Sequence, residues 1–312
     1  MLAVLYLAAV AFHGAWATTV LQPLDWDPAY YRDVGRSIAA GLGAQSGALW
    51  HRLGPDLDLP MLADLHWMPL PSRLLVPGLW LWPAHGDAVV TVIVAAAWGP
   101  LAAVLAGRLG GVRSVQWAAG LLGVLGGGYV RFLSTPDSIA LYGILAGLGW
   151  LMADRGNVAL TALLAGLLAL TRGDGFLMAP CLALVLRGPP LPRLAVAAAG
   201  PVVWLGWQVR GLLEVGPAVL QTRRAMASAV HIDEVLTGVV AGARVGMRAL
   251  VVVQELGEAI QTALVVGIFM LPLAALGGAW RLRRAPLVRG VLAYAVLMPV
   301  VTLCLAPAIA AS

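Results

Sequence analysis

Long apolar stretches separated by short polar punctuation dominate this chain. The apolar runs fall at roughly 2–21, 88–107, 113–131, 138–153, 157–171, 175–187, 194–209, 256–278 and 287–307. A helix needs about 20 mostly apolar residues to cross a bilayer core. The fourth to seventh runs are short, so the pattern predicts seven to nine transmembrane helices. Glycine and proline recur inside them, as membrane helices tolerate. Two stretches, 22–87 and 210–255, are too polar to span, and loops of that length usually carry structure or function of their own. In the first, Tyr30 to Gly41 has helical periodicity and a glycine stop, which predicts an amphipathic helix lying on the membrane. Pro69 and Pro71 punctuate a turn ahead of a second amphipathic run, Leu74–Trp82. Trp67, Trp80 and Trp82 suit an interface. The expected fold is a single all-α polytopic membrane domain, 1–312, with 22–87 and 210–255 as its outer loops.

Arginines in the short loops give this bundle a direction. Arg108 and Arg113 flank one tight turn, Arg187 and Arg193 another, and Arg281, Arg283, Arg284 and Arg289 form the densest cluster. Threading nine spans from a cytoplasmic N-terminus puts all three on the cytoplasmic side, as the positive-inside rule requires. The same threading leaves Asp154 as the lone cytoplasmic acid and sends the others to the outer edge. Chemistry is therefore expected at the outer face. The first span is expected to be a retained helix. Ala15-Trp16-Ala17 resembles a cleavage site, but no positive segment precedes the run.

Composition narrows the function. Of 312 residues, 61% are hydrophobic and 11% charged, against about 25% charged in soluble domains. This excludes an ordinary cytosolic enzyme and a disordered or nucleic-acid-binding chain. All the basic residues are arginine, so there is no Schiff-base lysine and no phosphate-loop lysine. Cys181 and Cys304 lie in apolar runs and form neither a disulfide framework nor a zinc spacing. The familiar metalloprotease, redox-cysteine, serine-hydrolase and P-loop motifs are missing. Ser134 and Ser138 are expected to have no nearby histidine and make no case for a hydrolase triad. His13 reads as a packed or hydrogen-bonded group, and Leu125-Gly126-Gly127-Gly128 as close helix packing. No internal repeat of the kind found in many transporters is evident.

Four polar groups remain as candidates. Asp25-Trp26-Asp27-Pro28 follows the first span. Asp before Pro is a common helix start, and either carboxylate is also placed to act as a base at the membrane surface. Asp64-Leu65-His66-Trp67-Met68-Pro69-Leu70-Pro71-Ser72-Arg73 offers a proton shuttle in His66 and a phosphate or headgroup contact in Arg73. Its plainer reading is an interfacial turn with a snorkelling arginine. Arg131 to Asp137 and Thr171-Arg172-Gly173-Asp174-Gly175 each place an Arg and an Asp at a helix boundary. Such charges at the ends of apolar helices are costly and often functional, and a guanidinium there suits a phosphate. Capping plus a local ion pair is the alternative.

These residues resemble a family. Asp27-Pro28-Ala29-Tyr30-Tyr31-Arg32-Asp33-Val34-Gly35-Arg36-Ser37-Ile38 resembles the first outer loop of the GT-C class of membrane glycosyltransferases (glycosyltransferase family 39). That family includes protein O-mannosyltransferases and the aminoarabinose transferases of lipid A. Asp27, Tyr31, Arg36 and Gly41 fall at the family's acid, Tyr, Arg and Gly places. His66-Trp67-Met68-Pro69-Leu70 looks like its Pro-Pro-Leu element, and Thr171-Arg172-Gly173-Asp174-Gly175 like its Thr-Arg-Pro-Asp-Gly turn. The resemblance covers about residues 1–210. It departs at Pro28, where relatives often carry a second acid, and in lacking the lysine near the Pro-Pro-Leu element.

The resemblance implies a GT-C-like helical bundle in the bacterial cytoplasmic membrane with its active site on the outer, periplasmic face. It implies a polyprenyl-phosphate-linked sugar as donor and a glycan, lipid or protein hydroxyl as acceptor. Asp27, or Asp25 in its place, would be the catalytic base of an inverting transfer. Tyr31, His66, Arg73, Arg131, Asp137, Arg172 and Asp174 would bind substrate. No cofactor is expected; a divalent metal on Asp25, Asp27 and Asp137 is the alternative. Two other functions fit the composition: a lipid or glycolipid transporter or flippase, and a non-catalytic assembly subunit with a GT-C-like core.

Overall fold

A computed structural model describes residues 1–19, 26–47, 61–65, 67–126 and 130–215, together with 285–286, 288–295 and 297. The chain divides into two compact units, Met1–Thr222 and Arg223–Ser312, and everything below concerns the first. The expected spans at 256–278 and 287–307 lie largely outside the described residues.

The first unit is built of helices in chain order. They are α1 (Leu2–Thr19), α2 (Trp26–Ala39), α3 (Leu70–Leu81), α4 (Gly86–Ala96), α5 (Trp98–Arg108), α6 (Arg113–Leu125), α7 (Val130–Leu133), α8 (Ser138–Asp154), α9 (Val158–Thr171), α10 (Met178–Val185) and α11 (Pro190–Val215). A short 3-10 turn, Gly175–Leu177, leads into α10. The single departure from an all-α fold among the described residues is a two-residue antiparallel pair, β1 (Gln45–Ser46) with β2 (Met61–Leu62). Asp33 of α2 explains its position, because its Oδ2 accepts from the Ser46 hydroxyl and from the Gly47 backbone N–H, both at 2.9 Å.

Local chemistry accounts for where the helices stop. The predicted run at 88–107 breaks at Ala97, three residues before Pro100. A proline has no N–H to donate into the preceding turn, and Ala97 instead donates to Val94, three residues back. α6 stops at Gly126, whose φ of 65° is the left-handed conformation that glycine adopts without a Cβ penalty. The glycine run expected to pack helices therefore begins as a helix cap; Gly127 and Gly128 lie outside the described residues. α8 and α9 start on side-chain caps: Asp137 accepts from Ile139 N–H, and Asn157 from Leu160 N–H.

Among the described residues, Gly86–Arg108 is the one helical stretch long and apolar enough to cross a membrane; α1, α8, α9 and the 175–185 stretch are apolar but shorter. α11 runs on through Arg210 to Val215. α1 packs on α4, α5 and α6, and a second group joins α8, α9, α10 and α11. Leu5 and Ala9 of α1 close against Ala96, Ala103 and Val124. Large apolar side chains remain exposed on the outward faces, among them Val4, Leu7, Leu121, Leu163, Val202 and Leu205. His13, fully buried in α1, is hydrogen-bonded through Nδ1 to the Ser134 hydroxyl at 2.9 Å.

Polar groups gather at the two ends of α8. At its C-terminus, Asp154 takes Arg108 of α5 in an ion pair. About 25 Å away along a 17-residue helix, its N-terminus meets α2 and the end of α9. α2 and α3 lie there as a layer whose apolar faces close over Tyr30, Tyr31, Val34, Leu75 and Leu79.

A carboxylate–guanidinium cluster at the start of α8

Three segments far apart in sequence supply this site. α2 offers Asp27 and Tyr31, one helical turn apart and so on one face. The segment entering α8 offers Asp137 and Ser138. The turn after α9 offers Arg172 and Asp174. Gly175 allows that turn: a Cβ there would lie 2.0 Å from the Leu168 carbonyl oxygen of α9. The turn is closed by Gly175 N–H donating to the Arg172 carbonyl at 2.9 Å.

Arg172 organises the centre. Its Nε donates to Asp174 Oδ1 at 3.1 Å, its Nη1 donates to the Ser138 hydroxyl at 3.3 Å, and its guanidinium lies 5.8 Å from the Tyr142 ring centroid. Ser138 donates to Asp137 Oδ1 at 3.2 Å and hydrogen-bonds the Tyr31 hydroxyl. Burial opposes the charge on Arg172, but Asp174, then Tyr31 and Asp137, together hold its pKa above the ordinary value. It stays a permanent cation, with 36% of its side chain exposed.

The acids around it differ. Burial raises Asp137 above the usual carboxylate range, and the nearby Asp27 adds to this, while the Ile139 N–H works against it. Burial, then the charge of Asp27, pushes Tyr31 up, so its hydroxyl keeps its proton throughout the physiological range. Asp27 is half-buried, and its Oδ1 accepts from the Trp67 indole N–H at 2.8 Å. Trp67 is held by stacking on Tyr30, with ring centroids 4.4 Å apart. The site thus has a fixed cation, the partly accessible Asp27 carboxylate, two further acids in Asp137 and Asp174, and a neutral phenol.

Of the residues expected from sequence, Asp27, Tyr31, Asp137, Arg172 and Asp174 come together. Arg73 does not join them. Its Nη1 donates to Asp64 Oδ2 at 2.6 Å and to the Pro69 carbonyl at 3.0 Å. That puts it in a second, neighbouring cluster with Tyr30 and Trp207. Asp25 and His66 lie outside the described residues, and Arg131 is described through its backbone alone, in α7. Trp67, Ser138 and Tyr142 are additions. Trp67 reads from sequence as an interfacial anchor, and its adjacency to His66 was the available signal. Ser138 reads as part of a helix start next to Asp137. Nothing in the sequence singles out Tyr142, an aromatic inside an apolar run.

Two cavities flank the segment entering α8. One, of about 20 Å³, has Asp137 and Pro136 in its wall and is about large enough for one water. The other, of about 750 Å³, lies between α1, α4 and residues 134–136; neither Asp27 nor Arg172 lines it. Among the described residues no group of three or more His, Cys, Asp or Glu is placed to hold a metal ion.

No protein-family model, curated protein or solved structure matches this chain.

Proposed function

We propose that this protein is a polytopic membrane glycosyltransferase of GT-C type, with seven to nine spans. It would transfer a sugar from a polyprenyl-phosphate donor to an acceptor hydroxyl at the outer face of the bacterial cytoplasmic membrane. The observation that carries the proposal is the convergence of Asp27, Tyr31, Asp137, Arg172 and Asp174 from three separate segments. The membrane setting is supported by the apolar helices and by the large apolar side chains that they leave exposed. The separation of Asp154 and Arg108 from this cluster, at opposite ends of α8, agrees with the threading.

The chemistry follows from the residue types. A hydroxyl is a poor nucleophile, and a positioned carboxylate that takes its proton assists attack. Asp27 fills that role: it is half-buried, oriented by Trp67, and has one of its two oxygens held by that bond. The acceptor oxygen attacks the anomeric carbon as the bond to the donor phosphate breaks, which inverts the configuration. The departing phosphate needs charge stabilisation more than a proton, and Arg172 supplies a fixed guanidinium at small reorganisation cost. Asp174 and Ser138 hold that guanidinium, and Tyr31 offers a neutral hydrogen bond to a sugar or phosphate oxygen.

The test is turnover of polyprenyl-phosphate-linked sugars by the purified protein in detergent or nanodiscs, with Asp27→Asn beside it. The carboxamide keeps the oxygen that Trp67 needs and loses the base. Release of polyprenyl phosphate by the native chain, abolished in the variant with folding intact, supports the reading. Equal release by both sinks it.

A further inference from the structure

Three turns meet at the Asp154 end of the first unit: α5–α6, α8–α9 and α10–α11. Arg108 joins the first two, because its Nε and Nη2 both donate to Asp154 Oδ2, at 2.9 and 2.5 Å. The third turn reaches the same level. α8 and α10 lie side by side, and a Cβ at Gly149 would sit 3.0 Å from Leu182 Cδ1. Asp154 and Arg187 each follow five residues further along those helices. Arg193, in the first turn of α11, donates from Nε to the Ala183 carbonyl near the end of α10, at 3.1 Å.

The charge on this end is lopsided. Residues 105–116, 151–161 and 182–197 hold five arginines, at 108, 113, 155, 187 and 193, and one acid, Asp154. Asp154 takes Arg108. Arg113, Arg155 and Arg187 are exposed and, among the described residues, pair with no carboxylate. Beside them in the same turns Val112, Leu191 and Leu194 are each more than half exposed. Water suits such arginines but not the leucines, and a lipid tail suits the leucines but not the arginines. The headgroup boundary of a bilayer suits both, since an arginine there lays its stem on apolar surface and keeps its guanidinium at the polar level.

We infer that this end of the unit is a binding surface for anionic phospholipid headgroups. Arg113, Arg155 and Arg187 are the phosphate contacts, and Val112, Leu191 and Leu194 lie against the first methylenes of the tails. The selection is electrostatic. Five arginines against one acid leave four positive charges without a counter-charge, and a choline headgroup brings a cation of its own. The exposed valine and leucines favour a lipid over a soluble anion. Asp154 sets the strength of the surface by holding Arg108 back from it. The inference rests on the membrane reading and uses none of the residues assigned to sugar transfer.

The experiment is thermal unfolding of the delipidated full chain in detergent, with native mass spectrometry counting the lipid retained. Phosphatidylglycerol and phosphatidylcholine with matched acyl chains are titrated in. Phosphatidylglycerol is expected to raise Tm by roughly 2–4 °C more than phosphatidylcholine at saturation. The excess should vanish near 1 M salt, where charges are screened within about 3 Å. An arginine near an anionic surface is worth about fivefold in binding, so replacing Arg113, Arg155 and Arg187 together by Gln should remove most of the preference. Asp154→Asn should raise it several-fold by releasing Arg108, with little loss of stability because the pair is partly exposed. Arg36→Gln, the same charge change at an exposed position of α2, should leave it as it is. Equal shifts for the two lipids in the native chain would overturn the inference and leave the membrane reading standing. An equal response to inorganic tripolyphosphate, an undiminished preference in the triple variant, or an equal loss in Arg36→Gln would overturn it too.

Discussion

The neighbouring tyrosines of α2 anchor two clusters of similar composition and opposite character. On the Tyr30 side, Asp64 has a side chain with no exposed surface and is gripped by Arg73. Its backbone N–H donates to the Tyr30 hydroxyl, and its carbonyl accepts from Trp207 Nε1 at 3.1 Å. Arg73 and Arg210 lie against the Trp207 ring. Asp64 even holds a left-handed backbone, φ 66°, which Asp tolerates better than most residues. On the Tyr31 side, Asp27 is half-buried and Arg172 and Asp174 are partly exposed. Acid, arginine and tyrosine together are therefore not a signature of chemistry. The Asp64 carboxylate is enclosed by this chain's own groups, which fastens the α2–α3 layer to α11. The Asp27 carboxylate remains partly accessible. Trp67 joins the two clusters, bonded to Asp27 and stacked on Tyr30.

This contrast can be broken experimentally, and the largest effect is expected at Asp27. Asp27→Asn should lower turnover by about 10²–10⁴-fold, the usual contribution of a general base, with Tm nearly unchanged. A large Tm loss with activity retained would exchange the roles assigned to the two clusters. Next comes Arg73→Met, which strands the Asp64 carboxylate. The expected loss is about 2 kcal/mol, below the roughly 3–5 of a fully buried pair, because Arg73 is more than a third exposed. Chemical denaturation in mixed micelles would measure it. The activity per folded molecule should hold.

Trp67→Phe tests the link between the clusters. It keeps the stack on Tyr30 and removes the N–H that orients Asp27, a bond to a charged acceptor worth about 1.5–3 kcal/mol at most. The expected result is a fall in kcat with KM little changed and Tm lower by a few degrees at most. A KM change alone would mean that Trp67 contacts substrate instead of positioning the carboxylate.

The smallest effect is pH dependence. Burial raises both Asp64 and Asp137 above the ordinary 3.8, although Arg73 works against this at Asp64. The folded state then holds these protons more tightly than the unfolded one. Their contribution to stability is present in full below the ordinary value and is lost as pH rises through the raised ones. Asp137→Asn, which retains a good helix cap, should flatten the fall in Tm just above pH 3.8. Thermal scans at stepped pH read this directly. An unchanged slope would mean that Asp137 is not proton-linked to folding.

Much of the helical layout was legible in the chain. The starts of α8 and α9 at Asp137 and Asn157, the end of α2 before Gly41 and the turn at Gly175 are local events. They are governed by caps, by glycine φ and by periods of 3.6, which a few neighbouring residues determine. The break at Ala97 was equally local, a consequence of Pro100, but it is hidden inside an apolar run. The meeting of Asp27, Asp137 and Arg172 was suggested by alternating the spans, because that puts the ends of certain helices on one side. What local pattern could not give was every partner of a charge: Asp174 pairs with Arg172 from two residues away, but Asp64 reaches Arg73 only through the fold. Arg73 and Arg172 look alike in sequence, each an arginine beside a proline- or glycine-rich turn. Tertiary packing turned Arg73 onto a buried Asp64 and set Arg172, already paired with Asp174, against Ser138, Tyr31 and Asp137. Helix formation depends on contacts within about four residues. The partners that packing supplies, Asp64 for Arg73 and the Ser138 hydroxyl for Arg172, lie 9 and 34 residues away, and depend on which side chains packing brings within a few ångströms and removes from water.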